Sequence, residues 1–244
     1  MRWPESRWHK MTHSMSNDRD KILPTRPDEG RESVSDSVFR QMRQDIILGI
    51  LAPSSKIKLE QARQRYSISV SSLREILYRL TAENLVVAEG QKGFEVSRVS
   101  RQELLELADL RTVLECHAID LAFALGDLEW EGRIVAAHHR LAAVEQKLLA
   151  GESSRTIDWV RYDWEFHQAI VSACNSATLL QNLSSVFDRF LRYHMLAKTF
   201  RGQPVVEDHK RLFESALKKD ARMAKDIIRR HVQRGAEHIL EEFV

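Results

Sequence analysis

Apolar positions recur every three or four residues through most of the chain, and they leave that rhythm in only a few short stretches. Leu73, Ile76, Leu77 and Leu80 form one such stripe, which predicts a helix over residues 70–84 with one face to bury. Ser71, Ser72, Arg74, Glu75, Tyr78 and Arg79 fall elsewhere on the wheel. The start of this helix, from Ser69, is rich in hydroxyl residues, which cap a helix and also donate to phosphate oxygens. Arg74 lies within two turns of that end, so the pattern suits a helix that enters a nucleic-acid groove end-on.

Upstream, Val38, Met42, Ile46 and Ile47 mark a helix of about four turns that ends near Gly49, with Pro53 beyond it. Residues 56–59 alternate like a short strand, 60–66 make a short helix, and 67–69 form a tight connection to the helix above. Two helices joined by about three residues predict a helix-turn-helix. Downstream, residues 85–88 and 94–96 read as two strands around a polar turn, a hairpin placed as a wing. Lys92 beside Gly93 at its tip suits a close approach to phosphate or to the minor groove, or else an ordinary solvated turn.

After a connector at 97–100, nearly everything has helical period. One long helix holds Leu104, Leu107, Ala108, Val113 and Leu114, and others are predicted near 128–149, 155–175, 177–199, 206–218 and 221–242. The expected organisation is a leader at 1–33, a DNA-binding domain at 34–97 and an all-helical domain at 101–244, mainly α overall with one small β-hairpin. The leader is polar, proline-containing and without periodicity, and is read as mobile; Met11 or Met15 is an alternative start.

Composition narrows this little. The formal net charge of +2 over 244 residues is too small to argue for or against nucleic acid, so any such binding depends on local clusters of Lys and Arg. Cys116 and Cys174 sit among apolar neighbours in helical patterns and read as buried, reduced thiols. No apolar run is long enough to cross a membrane and no signal-peptide pattern opens the chain, so a cytoplasmic location is expected.

Residues 34–97 resemble the winged helix-turn-helix of GntR-family transcription regulators. The likeness rests on I-L-G-I-L-A-P at 47–53, L-R-E-I-L at 73–77, L-T-A-E-N-L-V at 80–86 and Gly93. It implies that Arg40, Ser69, Ser71, Ser72, Arg74, Arg79, Lys92 and Gly93 meet DNA. Two departures stand out: Val70 occupies a place where an arginine is common, and Ser67 replaces a glycine of the turn. Residues 101–242 resemble the FCD effector domain of the FadR branch, through R-T-V-L-E at 111–115, D-W-E-F-H at 163–167, Asn175, H-K-R-L-F-E-S-A-L-K-K-D at 209–220 and His231.

Asp163 and His167 are four residues apart, hence about 40° apart on a helix and able to reach one ion. Spacing alone does not separate His209 and His231 from the other histidines, most of which are expected to be structural; His138, His139, His194 and His238 read as surface or packing residues and His117 as partly buried. The resemblance implies that Asp163, His167, His209 and His231 hold a divalent cation, for which one carboxylate and three imidazoles suit zinc first, then nickel or manganese. It also implies that Arg111 pairs with the carboxylate of a small organic acid, although a surface ion pair with Glu115 is the alternative. Arg189 and Arg192 could line the cavity for that acid, although a solvated helix face is expected for each. The function implied is a homodimeric regulator, most simply a repressor, that binds a two-fold DNA operator and is released by a carboxylate effector. The alternatives are a sensor of the cation itself and a metallohydrolase. Against the hydrolase, Glu165 points roughly 180° away from the Asp163 and His167 direction and no other base stands out.

Overall fold

The computed structural model describes residues 33–90, 93–197 and 200–242, which fall into two compact units that divide between Ser100 and Arg101. The expected leader lies outside the described residues.

The described residues of the first unit form three helices and one small sheet. Helix α1 (Val34–Ile47) starts where the Ser33 side chain accepts a hydrogen bond from Asp36 N at 3.1 Å, satisfying one of the free N–H groups of the first turn. Strand β1 (Lys56–Ile57), helix α2 (Leu59–Tyr66) and helix α3 (Val70–Ala82) follow. Ser67 ends α2 in the left-handed region at φ 51°, which explains why glycine suits this turn: serine is tolerated there, at a cost glycine would not carry. Helix α3 is capped by Ser69, whose Oγ accepts from Ser72 N at 3.2 Å.

Strands β2 (Val86–Ala88) and β3 (Phe94–Val96) complete an antiparallel sheet of order β1-β3-β2, with Ile57 opposite Phe94 and Val86 opposite Val96. The α3 stripe of Leu73, Ile76, Leu77 and Leu80 is wholly buried against Val38, Met42 and Ile46 of α1 and against Phe94 and Val96 of the sheet. Truncating a core leucine of this kind to Ala costs about 2–5 kcal/mol. Asp45 is also buried; it accepts from Tyr66 Oη at 2.7 Å and Arg65 Nη2 at 3.0 Å, tying α1 to α2. The apolar period therefore fixes one face of α3 inward and leaves the other outward.

The second unit is a bundle of α4 (Arg101–Leu125), α5 (Leu128–Leu149), α6 (Thr156–Val171), α7 (Ala177–Ala197), α8 (Gln203–Leu217) and α9 (Ala221–Glu241), with one 3-10 turn at Ser153–Arg155. Helix α4 packs against α6, α7 and α9, α5 against α6 and α8, and α8 against α9. The bend from α4 to α5 needs Gly126, because a Cβ there would lie 2.3 Å from the buried Trp130 ring. Helix α8 begins three residues earlier than its apolar period predicts, because Pro204 in the first turn has no N–H to satisfy and a φ already suited to a helix. Helix α6 stops at Val171, short of the predicted 175, and Asn175 takes a left-handed φ of 51° that a helix cannot continue through.

Candidate metal centre and nucleic-acid interface

Three helices aim side chains at one point inside the bundle. Asp163 and His167 share one face of α6, His209 comes from the middle of α8 and His231 from the middle of α9. One ligand atom from each of the four lies within 4.8 Å of all the others. The three histidines are buried and Asp163 is half-buried.

These atoms are poorly satisfied without a cation. Asp163 Oδ1, His167 Nε2 and His209 Nε2 are buried and make no hydrogen bond. His209 Nε2 stands 2.9 Å from Asp163 Oδ1, and His167 Nε2 stands 3.8 Å from it, but neither has the alignment of a hydrogen bond. Leaving such groups unpaired costs about 1–3 kcal/mol each. A carboxylate oxygen and imidazole nitrogens converging in this way are the donor set of a divalent cation, so the residues present fit one.

A carboxylate stands behind each imidazole. Glu115 of α4 is hydrogen-bonded to His167 Nδ1, Glu145 of α5 lies 2.6 Å from His209 Nδ1, and Asp208 Oδ2 lies 3.7 Å from His231 Nδ1. For His167 and His209 this holds the proton on Nδ1 and turns the lone pair of Nε2 toward the centre, whereas Asp208 is beyond hydrogen-bond distance of His231, whose Nδ1 has Arg201 Nη2 at 3.3 Å. Arg111 Nε donates to Glu115 Oε2 at 3.0 Å, and Trp159 Nε1 donates to Glu145 Oε1 at 3.4 Å. In the sequence Glu115 stands out only as a partner of Arg111, and neither Glu145 nor Asp208 belongs to a recognisable motif. A signal existed: Glu145 falls four residues after Leu141 and three before Leu148, inside an apolar stripe.

The charges interact strongly. Burial alone would lower the pKa of His209, but the Asp163 and Glu145 carboxylates outweigh it and raise it to about 9. Burial would raise Glu115, yet His167 and Arg111 bring it down to about 2. Asp163 is likewise held well below the usual carboxylate range, against its burial, by His209 and His167. His231 is lowered well below its ordinary value, first by burial and then by Arg201.

Beside the cluster lies a narrow cavity of about 10 Å³, room for about one water molecule, lined by Arg111, Trp159, Asp163, Phe190, Arg201 and His231 among others. Arg111 is 2% exposed and lies over the Phe187 ring at 4.1 Å, so its pair with Glu115 is a buried one and not the surface pair weighed from sequence. His194 also lines the cavity, half-buried, with burial pushing its pKa down to about 3. Other expectations are corrected. His117 is exposed, because its position on α4 faces away from the bundle, and Arg192 is buried within α7 instead of solvated. Arg189 is half-buried and pairs with Glu103. Glu165 points away from the cluster and pairs with Arg161 and Arg140. Cys116 and Cys174 are buried free thiols.

In the first unit, Ser71 and Arg74 are exposed on the outer face of α3, and Arg74 forms no ion pair among the described residues. Ser69 and Ser72 are joined at the cap, Oγ to Oγ, at 3.0 Å. Arg79 is committed within the fold: Nη1 donates to Asp36 at 2.9 Å and the guanidinium lies over Phe39 at 4.0 Å. Arg40 is half-buried on α1. Gly93 adopts φ 94° and its carbonyl accepts from Glu89 N at 2.9 Å, closing the hairpin, while Lys92 lies outside the described residues. Among the described residues no helix is long and apolar enough to cross a membrane.

Comparison with known proteins bears on both units. Residues 34–96 match the bacterial regulatory proteins of the gntR family, and residues 106–234 match the FCD domain. The HTH-type transcriptional repressor GlaR of Escherichia coli (strain K12) is 35% identical over 201 residues, covering 80% of this chain and 90% of that protein. An uncharacterized HTH-type transcriptional regulator, BphR of Paraburkholderia xenovorans (strain LB400), is 34% identical over 203 residues, covering 82% and 83%. The solved structure of E. coli McbR/YncC superposes with a TM-score of 0.73 at 19% identity, over 88% of this chain and all of that one, and supports the fold.

Proposed function

Since the chain belongs to the gntR family of bacterial transcription regulators and carries an FCD domain, and is thus a DNA-binding regulator and not an enzyme, we propose that a small organic acid bound beside a metal centre controls its grip on DNA. The observation that carries this reading is the convergence of Asp163, His167, His209 and His231, with three unsatisfied atoms among them, on a cavity that Arg111 also lines.

Asp163, His167, His209 and His231 would hold the cation, zinc before nickel or manganese, and Glu115 and Glu145 orient the imidazoles of His167 and His209. The cation, when bound, supplies positive charge and coordination positions beside the cavity that favour a carboxylate. Arg111 retains N–H groups beyond the Nε that Glu115 accepts, and a guanidinium fork fixes the orientation of a carboxylate. Phe190 and Trp159 exclude water around them, which strengthens these interactions. Because the four ligand residues and Arg111 come from α4, α6, α8 and α9, an acid that favours one arrangement of these helices shifts the population toward it.

On the DNA side, the outer face of α3 with Ser71 and Arg74 enters the major groove, and the hairpin at Gly93 acts as the wing. The protein acts in the cytoplasm as a homodimer on a two-fold operator, since one helix reads only a half-site. Repression relieved by the acid is the simplest outcome. A second reading has one observation in its favour: four protein ligands can close a tetrahedral site, as in structural zinc centres, which would make the cation itself the signal. A thermal-shift screen of organic acids on zinc-loaded and chelated protein separates the two. An acid that raises the melting temperature only with zinc present supports the first reading, and no stabilisation by any acid supports the second.

A further inference from the structure

The cavity contains a second guanidinium besides Arg111. Arg201 lies in the segment between α7 and α8, next to Gly202, whose φ of 70° turns the chain at this point. Its Nε is buried without a hydrogen bond, and Nη2 stands 3.3 Å from His231 Nδ1, a nitrogen that holds no negative charge. No carboxylate of a described residue lies within ion-pair distance of it, in contrast to Arg111, which has Glu115 at 3.0 Å, and to Arg140, Arg161, Arg189 and Arg234, which all have carboxylate partners.

Arg201 is half-buried, and a guanidinium partly withdrawn from water without an anion carries a cost that an anionic ligand would offset. Arg111 stands on α4 beside Glu115 and His167, whereas Arg201 stands beside His231, so the two cations flank different members of the cluster. One carboxylate would not use both forks fully.

We propose that Arg201 is a second anion anchor of this cavity and that the ligand carries two anionic groups, as a short dicarboxylate does. One carboxylate is oriented by Arg111 beside the four-residue cluster, and the other is taken by Arg201. This inference rests on the reading of the cavity as an acid pocket and adds the class of acid. Arg201 is then the residue that selects among acids of equal length.

The test is isothermal titration calorimetry on the zinc-saturated full chain, comparing malonate, succinate and glutarate with propionate, butyrate and valerate. A second charge-assisted contact predicts that the best dicarboxylate binds about 10- to 100-fold tighter than the monocarboxylate of its length. Arg201→Gln should erase that preference, and Arg201→Lys, which keeps the charge but loses the fork, should restore part of it. Equal binding of the two acid classes by the unaltered chain overturns the role of Arg201 while leaving the acid pocket intact, as does a preference that survives in Arg201→Gln. Heat from none of the six acids overturns the acid pocket itself and the role of Arg201 with it.

Discussion

Glu145 on α5 and His209 on α8 stand 2.6 Å apart, carboxylate oxygen to Nδ1, inside the bundle with both side chains inaccessible to water. The pairing places the Nδ1 proton and leaves Nε2 facing Asp163. Glu145→Gln keeps the shape and removes the charge, so zinc affinity measured by chelator competition should fall about 10- to 100-fold. An unchanged affinity would mean that Glu145 serves packing alone.

The titration of the histidines predicts a two-sided pH profile for metal-free protein. His209, raised to about 9 from 6.5, contributes stability that is present below pH 6.5 and is lost as pH rises through about 9. His194 and His231 are shifted the other way, so protonating them below pH 6.5 favours the unfolded chain. Urea midpoints in chelator should therefore peak near pH 6.5 and decline on both sides. Zinc should flatten the alkaline limb, because it replaces the proton on His209. A midpoint that climbs steadily to pH 9 in chelator would contradict the assignment.

On the DNA face, Arg74 and Arg79 should behave differently. Arg74 is exposed and without an ion pair among the described residues, so Arg74→Ala should weaken operator binding by ~1–3 kcal/mol in a titration at fixed salt. Arg79 is held by Asp36 and Phe39, so Arg79→Ala should mainly lower the melting temperature of the first unit. Equal losses of DNA affinity for both would show that Arg79 leaves Asp36 to meet DNA.

Much of this was legible in the sequence, for local reasons. Leu73, Ile76, Leu77 and Leu80 announce α3 because a helix buries residues at that spacing wherever it sits, and the same logic places Asp163 and His167 on one face of α6. Glu145 is marked only by its place in an apolar stripe, and Asp208 and Arg201 were not legible, because whether a charged residue is buried depends on which helix lies opposite it. His117 was misjudged for the same reason: α4 is apolar on several sides, with Leu110 and Val113 exposed beside it, so the apolar period does not identify the buried face.

Gly235 tests the cavity without touching a ligand residue. It lies within α9, where glycine is less stable than alanine by about 1 kcal/mol, and it lines the cavity. A Cβ there would meet His194 Nε2 at 3.6 Å, an ordinary contact. Gly235→Ala should raise the melting temperature and weaken acid binding together, since it strengthens the helix and takes space from the cavity. Stabilisation with unchanged acid affinity would place the acid elsewhere.

The central claim is that the acid cavity and the metal centre together govern DNA binding. The most direct measurement is fluorescence anisotropy on DNA from upstream of the protein's own gene, with zinc-loaded and chelated protein, each titrated with short-chain carboxylic acids. An acid should weaken DNA binding by the zinc-loaded protein and have no effect on the chelated protein. An acid that binds the zinc-loaded protein in calorimetry yet leaves its DNA affinity unchanged would contradict the claim.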